Sequence, residues 1–105
     1  MACQSEAQTV ESHYQSLVDR GFLIISLIAE TNSGTTPTAE ELKSEWADKY
    51  GITAPVVADE GWAVGSLYER DGGIPSQHLI GPGMEILAID QFPVSESDIE
   101  AALPY

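Results

Sequence analysis

Cys3 is the only cysteine in the chain, and its type and position offer the clearest chemistry. It stands at the start of a segment with helical spacing. The unpaired N–H groups and the dipole of a helix start favour a thiolate over a thiol. We therefore predict a lowered pKa and a nucleophilic sulfur. The alternative is a small buried apolar residue, which is the commoner role of a free cysteine.

Length and net charge limit the number of domains and the kinds of partner that the chain can bind. The 105 residues fit a single domain spanning 1–105, and 17 acidic against 4 basic side chains give a net charge of −13. This charge would repel phosphate backbones and anionic lipids, so we expect no nucleic acid and no membrane partner. No Cys/His spacing predicts a metal, and no Gly-rich loop opening a helix predicts a nucleotide, so we expect no cofactor.

The first half of the chain predicts two helices and two strands. Apolar residues at helical spacing indicate a first helix that ends at Gly21, and the apolar run 22–29 predicts a strand buried on both faces. Thr38 and Glu41 form a capping pair for a second helix, which Gly51 ends. The next predicted inner strand is 54–58. The apolar face of the first helix comprises Ala7, Val10, Tyr14, Leu17 and Val18.

The second half predicts a short helix, a hairpin and a closing helix. Asp59 is the expected cap of the short helix. Segments 76–80 and 85–92 are joined by Gly81, Pro82 and Gly83, a connection short enough for an antiparallel hairpin. Ser95 and Asp98 repeat the cap spacing ahead of the last helix. Helices alternating with apolar strands and ending in a hairpin predict a three-layer α/β domain with a mixed central sheet.

Four segments resemble the TlpA/ResA group of thioredoxin-like redoxins. Cys-Gln-Ser-Glu-Ala at 3–7 is similar to the second half of the group's Cys-x-x-Cys helix start, and Leu-Ile-Ala-Glu at 27–30 to its acidic strand end. Tyr-Gly-Ile-Thr-Ala-Pro-Val-Val-Ala-Asp at 50–59 and Gly-Ile-Pro-Ser at 73–76 resemble two further runs. The four segments occur in the same order as in that group and together extend over most of the chain. The resemblance implies a thioredoxin-like three-layer sandwich.

The resemblance also implies a thiol-disulfide oxidoreductase that acts on protein or small-molecule disulfides. Its first cysteine attacks the substrate and its second resolves the intermediate. Cys3 matches the second, and the first would directly precede Met1. We therefore expect an N-terminally truncated domain that also lacks the opening strand and has little activity by itself. A missing inner strand would expose an apolar sheet edge and favour a homodimer through that edge.

Other roles are implied residue by residue. Pro75 matches a proline that is cis in this family, and Ile74, Pro75 and Ser76 would contact the substrate. Glu30 would be a proton carrier near the sulfurs with a pKa raised by partial burial, or else a solvated residue at a strand end. His78 is expected to be packed rather than to act as a catalytic base.

Two other function classes stay open. A peroxiredoxin-like peroxide reductase would use Cys3 as the peroxidatic thiolate, but such enzymes resemble one another in placing an arginine near the sulfur, and the only arginines are Arg20 and Arg70. A non-catalytic thioredoxin-like binding module would explain a single cysteine without truncation. If the resemblance and a missing leader both hold, the expected compartment is periplasmic or extracytoplasmic.

Overall fold

A computed structural model of the chain describes residues 2–68 and 74–104, in which five α-helices and four strands are present. A π-helical segment, Leu42–Ala47, joins the second helix to the third, and 3-10 turns cover Val18–Arg20 and Glu60–Trp62. In chain order the helices are α1 (Ala2–Leu17), α2 (Ala39–Glu41), α3 (Asp48–Tyr50), α4 (Gly65–Tyr68) and α5 (Glu96–Ala102). The strands are β1 (Ser26–Ile28), β2 (Val56–Ala58), β3 (Gln77–Ile80) and β4 (Ile86–Gln91).

The predicted helix boundaries are confirmed where they depend on local hydrogen bonds. Gly21 has a φ of 86° and ends the turn that follows α1, a conformation that favours glycine. Thr38 and Glu41 form a reciprocal capping box at the start of α2. Ser95 and Asp98 form the same box at the start of α5. Each box satisfies backbone N–H groups that a helix start leaves without partners.

Asp59 caps the segment that leads into α4, as expected. Its carboxylate is buried, with Oδ1 accepting the Val64 N–H at 2.8 Å and Oδ2 accepting the Gly65 N–H at 2.7 Å. A Cβ added at Gly65 would lie 3.1 Å from Oδ2, so a larger residue there would crowd the carboxylate. The buried charge is thus held by two backbone donors at the start of a short helix.

The described strands form two separate sheets. Strands β1 and β2 are parallel, with Leu27 paired to Val57, and β3 and β4 form the predicted antiparallel hairpin. Within residues 2–68 and 74–104 no ladder joins the two sheets into one. The α/β class is therefore confirmed at the level of its elements.

The core consists of two small clusters that α1 connects. Ala7 near the start of α1 packs with Ile52 and Ala54. Leu17 at its end packs with Val94 and Ile99. Because both clusters depend on the same helix, α1 sets the position of each sheet relative to the other.

The prediction that 22–29 is a strand buried on both faces is wrong. Only Ser26–Ile28 is strand, and alternate side chains are exposed: Leu23 by 59%, Ile25 by 56% and Leu27 by 41%. Val57 on β2, also predicted as part of an inner strand, is 40% exposed. The reason is that the cluster around Ala7 covers one face of this sheet, and no described element buries the other.

Glu11 on α1 accepts hydrogen bonds from the segment that precedes β2. Its buried carboxylate accepts hydrogen bonds from the backbone N–H groups of Thr53 (2.9 Å) and Ala54 (3.2 Å). The Thr53 hydroxyl (2.5 Å) and the Gln15 amide (2.7 Å) also donate to it. Burial by itself would raise the pKa of Glu11, but these hydrogen bonds outweigh it, so the pKa is lowered.

We predict that Glu11→Gln lowers the free energy of unfolding by about 1–3 kcal/mol at neutral pH, because four donors lose a charged acceptor. A lowered folded-state pKa stabilises the protein above the unfolded pKa, and this contribution is lost as pH falls through the folded pKa. Urea unfolding across pH 2–7 measures both effects. Glu45→Gln, which removes the same charge from an exposed site, is the control. Equal stability of the two variants would contradict this role of Glu11.

Candidate functional site

Cys3 lies in the first turn of the sixteen-residue helix α1, as the sequence predicts, and is partly buried. Burial raises the pKa of its thiol, and this effect exceeds the lowering by a backbone hydrogen bond and by nearby positive charge. The expected lowered pKa is therefore wrong. Desolvation penalises the thiolate more than the helix start favours it. The raised pKa of Cys3 argues against an activated thiolate at this position.

Glu30 follows β1 and is exposed. Its Oε1 accepts a hydrogen bond from the Trp62 indole Nε1 at 3.3 Å. The expectation of partial burial is wrong, and the alternative expectation, a solvated residue at a strand end, describes the structure. The reason is again the open face of the β1–β2 sheet, since no described layer packs over the end of β1. The hydrogen bond still links the end of β1 to the turn before α4.

The Ile74–Pro75 peptide bond is cis, as predicted. The Phe92–Pro93 bond is also cis, which the sequence did not suggest. Ile74 is 55% exposed, whereas Pro75 and Ser76 are partly buried. Gly73, the first residue of the Gly-Ile-Pro-Ser run, lies outside the described residues.

Ser76 belongs to a hydrogen-bonded cluster at the base of the hairpin. Its hydroxyl donates to Asp90 Oδ1 at 2.6 Å, and the Asp90 N–H donates to His78 Nδ1 at 2.8 Å. The Ser76 oxygen is 3.4 Å from His78 Nε2, and the His78 ring lies 5.0 Å from the Tyr68 ring. The cluster ties both strands of the hairpin to the segment after Pro75.

The hydrogen-bond pattern of this cluster differs from that of a catalytic serine. A catalytic carboxylate holds Nδ1–H of the histidine so that Nε2 can accept the serine proton. Here Asp90 binds Ser76 instead, and His78 Nδ1 accepts a main-chain N–H. Neutral His78 therefore carries its proton on Nε2 and is not a base toward Ser76. The packed role expected for His78 agrees with these contacts.

Sequence reasoning missed Asp90. The signal was an acidic residue inside the apolar strand segment Ile86–Gln91. Asp90 also has a φ of 52°, a left-handed conformation that aspartate adopts more readily than bulky residues do. Asp90 lies within the first of the two register shifts in the β3–β4 ladder, between the pairs Gln77–Gln91 and Leu79–Ala88. The irregular strand, rather than a regular alternation, places its N–H against His78.

The predicted site residues do not form one hydrogen-bonded constellation. In the described part of the chain, no side-chain hydrogen bond joins Cys3 to Glu30 or to Ser76. Two shallow surface grooves of about 220 and 230 Å³ lie between the π-helical segment and β2 and between the hairpin and α5. None of the residues predicted for the site lines either groove. The structure therefore joins Ser76 to His78 and Asp90 through hydrogen bonds.

Comparison with known proteins adds no family to these observations. The chain matches no protein-family model and no curated protein. Across residues 2–68 and 74–104, no helix has the length and apolar character that crossing a bilayer requires. Within those same residues, no group of three or more His, Cys, Asp or Glu side chains is arranged to hold a metal ion.

We predict that alkylation of Cys3 by iodoacetamide, followed as a function of pH, has its midpoint above that of an unstructured thiol peptide. Burial disfavours the reactive thiolate in the folded protein. Because Cys3 is the only cysteine, the rate needs no other substitution to be assigned. Unfolding in urea provides the control and should bring the midpoint to the peptide value. A folded-state midpoint below the peptide value would contradict the desolvation argument.

We also predict that neutral His78 is the Nε2–H tautomer, because its Nδ1 accepts the Asp90 N–H. Long-range ¹H–¹⁵N spectra distinguish a protonated from an unprotonated ring nitrogen. His13, the other histidine, serves as the internal reference. A proton on Nδ1 at neutral pH would show that the hydrogen bond from Asp90 is absent.

Proposed function

We propose that the chain is a thioredoxin-like domain for thiol-disulfide exchange in which Cys3 is the resolving cysteine. The order of helices and strands supports this architecture: α1 carries Cys3, β1 and β2 are parallel, and an antiparallel hairpin precedes α5. In this proposal the two sheets belong to one mixed sheet of a three-layer sandwich. The substrate is a protein or small-molecule disulfide.

The observation that carries the proposal is the position of Cys3 in the first turn of α1. Its thiol is partly buried and its pKa is raised. Such a sulfur is a poor choice for attack on a free substrate, because little thiolate is present. A resolving sulfur attacks a disulfide already held a few ångströms away, so proximity offsets a small thiolate fraction. A protected Cys3 therefore suits the second step better than the first.

The proposed exchange proceeds in two steps. A cysteine three positions before Cys3 attacks the substrate disulfide as a thiolate, forms a mixed disulfide and releases one substrate thiolate. Cys3 then loses its proton to solvent and attacks the sulfur of that cysteine. The second substrate thiolate leaves and the two cysteines form a disulfide. Two electrons pass from the cysteine pair to the substrate, which is reduced to two thiols.

Residues near Pro75 supply the proposed substrate contacts. Ile74 presents an exposed apolar side chain, and Ser76 is held in place by its hydrogen bond to Asp90. In this proposal Glu30 carries protons at the end of β1, a role compatible with its exposure because it then exchanges protons with water directly. With a net charge of −13, the domain favours neutral or basic substrates over acidic ones.

The peroxide-reductase alternative is less well supported. A peroxidatic cysteine requires a stabilised thiolate, whereas burial raises the pKa of Cys3. Arg20 stands seventeen positions after Cys3, about 25 Å along a helix, and pairs with Glu100 at 3.6 Å. Arg70 lies outside the described residues.

One observation favours the binding-module alternative. In the described part of the chain, no side-chain hydrogen bond joins Cys3 to Ser76.

A one-residue extension tests the proposal. Adding a cysteine directly before Met1 creates the Cys-x-x-Cys spacing with Cys3. We expect the extended chain to form an intramolecular disulfide and to catalyse insulin reduction by dithiothreitol. The chain as it stands should give a rate near background, because it lacks the attacking sulfur. Mass spectrometry detects the disulfide, and insulin turbidity measures the rate.

The matched control is the same extension combined with Cys3→Ser. It keeps the attacking thiol but has no resolving thiol, so it should accumulate a mixed disulfide with glutathione. Robust turnover by the chain without the extension would show that a cysteine pair is not needed. An extended chain that forms no internal disulfide and accumulates the glutathione adduct would remove Cys3 from the resolving role and favour the binding module.

A further inference from the structure

The β3–β4 hairpin contains a β-bulge opposite His78. Between two pairs of the ladder, one residue of β3, His78, lies opposite two residues of β4, Ile89 and Asp90. A bulge leaves its extra residue without a ladder partner. The structure gives the Asp90 N–H a side-chain acceptor instead, the Nδ1 atom of His78 at 2.8 Å. A titratable ring therefore takes the place that a main-chain carbonyl has in a regular ladder.

The hydrogen bonds around His78 have directions that only its neutral ring allows. The Asp90 N–H donates to Nδ1, and the Ser76 hydroxyl donates to Asp90 Oδ1 at 2.6 Å. The Ser76 oxygen lies 3.4 Å from Nε2, so it can accept the Nε2–H of the neutral ring. Ser76, His78 and Asp90 thus form a closed set of contacts, and that set requires a lone pair on Nδ1.

Protonation of His78 removes this acceptor. An imidazolium ring carries N–H on both nitrogens and accepts no hydrogen bond. Its Nδ1–H and the Asp90 N–H would be two donors facing each other across 2.8 Å. Turning the ring over does not restore the contact, because it puts a C–H group in the place of Nδ1. The Asp90 carboxylate, by contrast, is a strong acceptor for either N–H of the charged ring.

The surroundings of His78 allow its ring to exchange protons with water. The side chains of Ser76, His78 and Asp90 are each half-buried, so none of them is sealed from solvent. From the described residues, Asp90 of β4 and Tyr68 of α4 face the ring, and the Tyr68 ring lies 5.0 Å away. The charged side chains of 69–71 lie outside the described residues. Substitution at His78 itself is therefore the way to assign a titration to this ring.

We propose that His78 is a pH-dependent switch at the base of the hairpin. The neutral ring holds the bulge by accepting the Asp90 N–H. When the ring takes one proton from solvent, this hydrogen bond breaks, and the ring donates to the Asp90 carboxylate in competition with Ser76. Histidine ordinarily changes charge between about pH 8 and pH 5, which we call the histidine range.

The switch changes the conformation of the bulge. Asp90 has a φ of 52°, a left-handed conformation that persists only where surrounding contacts hold it. Loss of the His78 acceptor removes one of those contacts and opens the Asp90 N–H to water. Ser76 belongs to the segment proposed to contact substrate, so the change reaches that surface. The inference itself is independent of the proposed redox function, because it concerns only the hairpin.

Amide hydrogen exchange of the whole chain, followed by NMR across the histidine range, tests the proposal. After correction for the intrinsic pH dependence of exchange, we expect the protection factor of the Asp90 N–H to fall by on the order of tenfold as His78 is protonated. The amide shifts of Ser76 and Asp90 should change with the same midpoint as the ring signals of His78. The Asp59 N–H, which donates to Ile28 O at 3.0 Å in the other sheet, is the internal control and should keep its protection.

Two substitutions at His78 have opposite expected results. His78→Asn keeps a carbonyl acceptor near the position of Nδ1 but does not titrate, so the Asp90 N–H should stay protected throughout the histidine range. His78→Phe keeps an aromatic ring beside Tyr68 but has no acceptor, so protection should be low at every pH. His13→Asn removes the other histidine and is the matched control, which should keep the pH dependence of the wild type.

Three results would each overturn the proposal. One is an Asp90 protection factor in the wild type that stays constant while His78 becomes protonated. Another is a His78 ring that keeps one charge state throughout the histidine range. The third is a pH dependence that persists in a folded His78→Asn variant, because another group would then be its cause. If neither His78 variant folds, the wild-type titration decides between the outcomes by itself.

Discussion

The carboxylate of Glu11 is the interaction on which the arrangement of this chain most depends. It joins α1 to Thr53 and Ala54 across more than forty residues of sequence, and α1 in turn contacts both core clusters. The two clusters have no buried residue in common, but α1 contributes one residue to each, Ala7 to the first and Leu17 to the second. A buried charge is tolerated because four donors surround it. One side chain therefore fixes the helix that carries Cys3 and the entry to β2.

Local features could be predicted from the sequence because their causes lie a few residues apart. The two capping boxes, the stop at Gly21 and the hairpin around Gly81 each depend on neighbours within one turn. The caps require Thr38 and Ser95 to meet side chains only three positions away. The apolar run 22–29 predicted a strand there, but it did not predict that one face of that strand is exposed.

Non-local features could not be predicted in the same way. The partner of Glu11 is 42 positions distant, and Asp90 meets Ser76 across 14 positions. Burial of 22–29 depends on what packs against it, which an apolar run does not specify. The pKa of Cys3 shows the same limit, since the helix start argues for a lowered value and the surrounding atoms reverse it.

The account of function depends on Cys3 and the segment after Pro75 belonging to one site. A nitroxide spin label attached to Cys3, the only cysteine, measures their proximity directly through broadening of amide signals in solution. We expect the label to broaden the amides of Ile74 and Ser76 and to leave that of Met84, at the tip of the hairpin, sharp. Broadening of Met84 with sharp signals for Ile74 and Ser76 would contradict a shared site and the resolving role of Cys3.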